Sequence, residues 1–159
     1  MNMLSLRSVR RFFAVCLPAL LVAGVAAADL PISAVNTENG LAIKGYDPVS
    51  YFDGGKPQPG STEFATTYKG AVYRFTSAEH RDRFIAMPES FVPQYGGYCA
   101  YAISLNRIAD IDPEEWAIVA GKLYLNNGFF AQTLWSLDKS GNIADGDRYW
   151  PLMPKRESP

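Results

Sequence analysis

The chain has 159 residues, with 15 Lys and Arg against 16 Asp and Glu and nearly half its residues hydrophobic. That is one domain's worth of chain, and its near-neutral balance with no Lys/Arg block excludes the electrostatic footprint of a nucleic-acid binder. The cysteine count of two, one of them in the first 28 residues, excludes a disulfide-stapled scaffold.

The N-terminal segment reads as a secretory signal. Arg7, Arg10 and Arg11 form a positive region, the stretch from Phe12 to Val25 is almost wholly apolar, and Ala26-Ala27-Ala28 supplies small residues for cleavage. The apolar run is short for a spanning helix, which needs about 20 residues, and Pro18 interrupts it. Arg10-Arg11-Phe12-Phe13 has the spacing of a twin-arginine signal, but Val9 stands where Ser or Thr is usual and no Lys follows. An ordinary Sec leader is the favoured alternative. Cleavage near Ala28 leaves residues 29–159 in the periplasm or secreted, with 12 basic and 16 acidic residues and a net charge of −4. Cys99 is then the single remaining thiol, which is buried, pairs with another chain, reacts or binds metal.

Residues 29–39 show no clear period and read as a lead-in arm. Leu41 to Phe52 suggests two short extended pieces around a turn at Asp47-Pro48, followed by a Gly/Pro loop to Ser61. Phe64–Tyr68 and Ala71–Phe75 form a predicted hairpin across Lys69-Gly70. Thr76-Ser77-Ala78-Glu79 predicts a capping box, with Thr76 as N-cap of a helix that carries His80, Phe84, Ile85 and Met87 and stops at Pro88. Gly96-Gly97 predicts a tight turn just before Cys99. Asp112-Pro113-Glu114-Glu115-Trp116 predicts a capped helical turn with Pro at its first position. Trp116–Val119 and Lys122–Leu125 predict a second hairpin, and Phe129 to Leu137 a helix with an apolar face of Phe130, Leu134 and Leu137 beside Trp135. The expected fold is α+β: one small domain of hairpins and short helices over 29–150, with 151–159 a flexible tail.

Tyr68-Lys69-Gly70-Ala71-Val72-Tyr73-Arg74-Phe75-Thr76-Ser77, with His80, Phe84, Pro88-Glu89 and Phe91 behind it, resembles the YHS domain family. The flanks, Lys44 to Phe52, Pro93 to Ala100, Gly121 to Asn126 and Trp150-Pro151, are similar to the exported bacterial branch of that family. The resemblance implies a YHS-like core and association with metal, copper above all. Many members carry Cys where this chain has Thr76 and His80, so a two-cysteine site is out of reach here.

The residues themselves leave a thinner set of donors. Cys99 and His80 are the strong soft or borderline ligands after processing, and copper or zinc accepts that pair. Met87 and Asp47 are candidate additional ligands. Each also has a structural reading: His80 as a helix-start residue, Cys99 as a packed thiol, Asp47-Pro48 as turn chemistry. Catalytic motifs are absent from the sequence: no Gly-x-Ser-x-Gly, P-loop, His-Glu-x-x-His or Rossmann glycine pattern. Three functions follow, in order: a periplasmic metal-binding protein, a metal-free module for a small ligand or periplasmic protein partner, and a thiol-dependent enzyme using Cys99 and His80. The intact mass of the exported protein should correspond to a chain starting at Asp29 or within a residue or two; retention of residues 1–28 would overturn the compartment.

Overall fold

The computed structural model describes residues 32–156. The leader expected at 1–28 and the last three residues of the expected tail lie outside the described residues. The fold is α+β, a small single domain with mixed sheets and, among the described residues, four short α-helices.

The strands are β1 (Ile32–Ser33), β2 (Thr37–Glu38), β3 (Leu41–Ala42), β4 (Ser61–Tyr68), β5 (Ala71–Phe75), β6 (Asp112–Val119), β7 (Lys122–Asn126) and β8 (Lys155–Arg156). The helices are α1 (Ala78–Ala86), α2 (Ala100–Ser104), α3 (Gly128–Leu137) and α4 (Lys139–Tyr149). The main sheet has the order β2-β3-β5-β4, and β6-β7 and β1-β8 form separate pairs. Both expected hairpins form, with Tyr68 opposite Ala71 and Val119 opposite Lys122. Lys69-Gly70 and Ala120-Gly121 both take positive φ, the twist that two-residue hairpin turns require. Asn39-Gly40 makes a third such turn between β2 and β3, inside and just beyond the stretch expected to be an arm.

Burial follows the period of the strands. Ala71, Tyr73 and Phe75 of β5 point inward, where Val49, Tyr51, Phe84, Cys99, Leu123 and Leu125 join them. A second cluster gathers Tyr95, Ile103, Tyr124 and Trp135. Strand β7 divides the two: Leu123 and Leu125 enter the first cluster and Tyr124 the second, because successive residues face opposite sides. The β6-β7 hairpin is therefore a partition covered on both faces.

Several expectations differ from the structure. Residues 112–116 are strand, not a helical turn; Asp112 Oδ1 accepts only the Glu114 N–H, and Pro113 sits where the β6-β7 register shifts. A break in the ladder is where a residue without an N–H is tolerated. Of the extended pieces expected in 41–52, only Leu41–Ala42 is strand, and a 3₁₀ turn at Ile43–Gly45 follows it. The apolar face of α3 is turned outward, with Phe130 81% and Leu137 78% exposed, while Trp135 is fully buried. Residues 151–156 of the expected tail carry the end of a 3₁₀ turn at Trp150–Leu152 and then β8, paired in parallel with β1. Helix α4 was not expected at all. Gly141 and Gly146 argue against it locally, but a Cβ at Gly146 would lie 2.6 Å from the Tyr95 hydroxyl, so close packing requires the glycine. The Tyr95 hydroxyl also donates to Asp147 Oδ1 (3.0 Å), with the Ile143 carbonyl at 3.2 Å as an alternative acceptor, which fixes α4 to the turn before α2.

The cap of α1 also needs correction. Ser77, not Thr76, is the N-cap: its Oγ accepts the His80 N–H at 3.2 Å. Replacing Ser77 with Ala should lower stability by about 1 kcal/mol in urea unfolding. An equal effect at every neighbouring surface position, with none specific to Ser77, would contradict the assignment.

Candidate functional site around Asp47 and His80

Asp47 is wholly buried, and the chain around it folds to satisfy its carboxylate. Pro48 has no N–H, so the next two amides turn back to Oδ1: Val49 N at 2.8 Å and Ser50 N at 3.4 Å. Ser50 Oγ donates to the Asp47 carbonyl at 2.7 Å and accepts the Gln58 N–H at 3.2 Å, closing the loop. Oδ2 faces the start of α1. It accepts the Thr76 N–H at 2.9 Å, the Thr76 hydroxyl at 2.8 Å and, at 2.6 Å, His80 Nδ1. A helix N-terminus favours negative charge, and a contact this short to a carboxylate requires the proton on Nδ1.

With Nδ1–H turned inward, His80 presents Nε2 toward the surface, where it lies 3.3 Å from Asp53 Oδ2; the side chain is 19% exposed. Nε2 and a carboxylate oxygen are both acceptors in that tautomer. Arg83 Nη1 donates to the same Asp53 oxygen and offsets the repulsion between these two acceptors. Asp53 is also gripped by Arg83, whose Nη1 and Nη2 donate to its two carboxylate oxygens, the second at 2.9 Å. The Arg83 hydrogen bonds hold the Asp53 carboxyl below its usual range, against a smaller opposing effect of burial. Arg83 in turn lies over the Phe91 ring, 5.6 Å from its centroid.

Cys99 sits elsewhere in the hydrogen-bond pattern. It is buried, as a free thiol, at the N-cap of α2. The Gln94–Gly97 turn ahead of it carries positive φ at Gly96 and Gly97, as the glycine pair leads one to expect. Its Sγ accepts the Asn127 N–H at 3.3 Å and faces Asn126 Oδ1 at 3.7 Å. Asn126 is fully buried and continues the network: Oδ1 accepts the Tyr101 N–H and Nδ2 donates to Gln132 Oε1, whose Nε2 donates to the Trp116 carbonyl. That chain of bonds ties α2, β7, α3 and β6 together.

The structure thus joins two of the sequence candidates, Asp47 and His80. Among the described residues no hydrogen bond or ion pair links Cys99 to His80. Met87 is the C-cap of α1 and 59% exposed; seven residues of helix carry it roughly 10 Å along the axis from His80. Asp47 is saturated by protein donors. Among the described residues no group of three or more His, Cys, Asp or Glu is arranged to hold a metal ion. Sequence reasoning missed Asp53, read as part of a Gly-rich turn, and Arg83. Arg83 follows His80 by three residues, so both lie on one helix face, and that spacing was a usable signal.

No family model, curated protein or solved structure matches the chain.

Asp47→Ala would strand the amides of Val49 and Thr76, while the Ser50 amide keeps the Asp47 carbonyl and His80 Nδ1 keeps Thr76 Oγ1, both at 3.2 Å. Unsatisfied buried donors cost about 1–3 kcal/mol each, so the variant should lose about 2 kcal/mol or more in chemical denaturation. A loss below about 1 kcal/mol would show that water replaces the carboxylate without penalty.

Proposed function

We propose that the chain is an exported, metal-associated binding protein of the YHS type, with copper as its metal and His80 as the imidazole ligand. The observation that supports this reading is the orientation of His80. A buried carboxylate takes Nδ1–H and leaves Nε2 at the rim beside Asp53, the arrangement that ligating histidines usually have. Imidazole nitrogen with a carboxylate oxygen suits Cu(II), and zinc as well. Two protein donors make an open site, whose remaining positions go to water or to a donor from a periplasmic partner. The Cys99–His80 pair does not fit a shared ion, because Cys99 is engaged with Asn126 and Asn127.

A second reading, a metal-free interaction module, is supported by α3. Phe129, Phe130, Leu134 and Leu137 are all exposed, and the helix carries no charged residue. No helix among the described residues is long and apolar enough to cross a membrane.

The deciding experiment is mass spectrometry of metal in protein purified from the periplasm, followed by titration with copper and zinc. His80→Ala should abolish binding, and Cys99→Ser should leave it intact. Arg83→Ala, which frees Asp53 and removes an adjacent positive charge, should tighten binding roughly tenfold. Protein that takes up neither metal would overturn the reading in favour of the interaction module. Loss of binding in Cys99→Ser alone would move the site away from His80.

A further inference from the structure

A cleft of about 320 Å³ lies away from His80, between β5, the Gln94–Gly97 turn and the C-terminal segment. Its floor is apolar, made by Val35, Val92, Pro93 and the rings of Tyr95 and Trp150. Tyr73 also lines it. The ring of Tyr73 is packed into the core, 4.8 Å from the Phe84 centroid, and the residue is only 2% exposed. Its hydroxyl hydrogen-bonds to no protein atom among the described residues and is not sealed from solvent, so it opens on the cleft as a free donor. Burial pushes that hydroxyl well above the ordinary phenol range, so it is a donor at neutral pH.

The second observation is Lys155. Its ammonium donates to the carbonyls of Trp150 and Met153 and stands 4.2 Å from the centroid of the Trp150 ring. No carboxylate neutralises it among the described residues, and burial lowers its pKa. Lys69, at the rim of the same cleft, is already paired with Glu89 at 2.7 Å. Glu89 also accepts the Tyr68 hydroxyl. The cleft therefore holds two ammonium groups against one carboxylate, a surplus of one positive charge, above an apolar floor.

We infer that this cleft binds a small monocarboxylate with an apolar body, its carboxylate received by the Tyr73 hydroxyl and the Lys155 ammonium. A phenol hydroxyl that no protein atom takes up and an ammonium that no carboxylate pairs, among the described residues, line one cleft, and a carboxylate suits both as acceptor. A second negative charge on the ligand would meet Glu89. The volume is at the small end of ligand clefts, which run from roughly 300 to 1,000 Å³, and suits a single ring. Nothing in this assignment rests on the metal reading at His80.

Benzoate is a suitable probe, with benzamide as its neutral isostere, followed by backbone amide shifts and tryptophan fluorescence on the exported chain. Benzoate should give saturable shifts at Tyr73, Gly96 and Lys155, with a Kd below about 10 mM and about tenfold tighter than benzamide. Tyr73→Phe and Lys155→Met should each weaken benzoate about fivefold or more and leave benzamide unchanged. Because the Tyr73 hydroxyl has no protein partner, Tyr73→Phe should melt at the same temperature as the parent or higher. Equal binding of benzoate and benzamide, no binding of either, or a lower melting temperature in Tyr73→Phe with benzoate binding intact would each overturn the inference.

Discussion

The carboxylate of Asp47 ties the loop after β3 to the end of β5 and the start of α1. It accepts from its own loop through Val49 and Ser50 and from the start of α1 through Thr76 and His80. An ionised group without water is tolerable only when its lone pairs are taken up by donors. The loop after β3, the end of β5 and the first turn of α1 must therefore keep their relative positions for Asp47 to remain buried. Val49 and Tyr51, carried by the same loop, are wholly enclosed in the main core, so apolar burial and the carboxylate's needs reinforce each other. The orientation of His80 is a by-product of this arrangement: the carboxylate selects the tautomer, and the tautomer decides which nitrogen faces the surface.

The second polar network has a different character. Cys99, Asn126 and Gln132 link the elements around the β6-β7 partition, and every polar atom named there meets a neutral partner. A thiol is a weak donor and a weak acceptor, so its contribution is the filling of a small volume beside an amide rather than a strong bond. This accounts for a buried cysteine without asking chemistry of it. The charged network at His80 and the neutral one at Cys99 are thus separate solutions to burying polar groups, one at a helix N-terminus and one between strands.

Local features were the readable ones. Lys69-Gly70 and Ala120-Gly121 flanked by β-prone runs specify hairpins within a few residues, and the Ser/Thr pair before Ala78 specifies a helix start to within one position. What stayed hidden depends on distant partners. Helix α4 contains glycines that disfavour it in isolation, and it forms because Tyr95 packs on Gly146 and bonds to Asp147. The outward face of α3 has the same pattern an inward face would have, and its rotation is set by Trp135, held in the second core, with Gln132 bonded to Asn126 and the Trp116 carbonyl. His80 and Asp47 could each be chosen for their chemistry, but they lie 33 residues apart, and no local rule announces that the loop of one reaches the helix of the other. The donor set around Cys99 was illegible for the same reason: Asn126 and Asn127 look like the end of a strand until the thiol is found beside them.

The pairing of β1 with β8 works as a clasp. Ile32 lies beside Lys155 and Ser33 beside Arg156, in parallel, so two segments separated by the whole domain lie one strand spacing apart, about 5 Å. Closing so long a loop is entropically costly but only slowly more so with length, and the short pair is supported by Trp150 packing on Tyr95 and Tyr98. The domain is accordingly a nearly closed ring of chain. A short peptide could join the clasp covalently, and a new opening could be cut in the exposed Gly54-Gly55 loop, giving a permuted chain whose cores and sheets are unchanged.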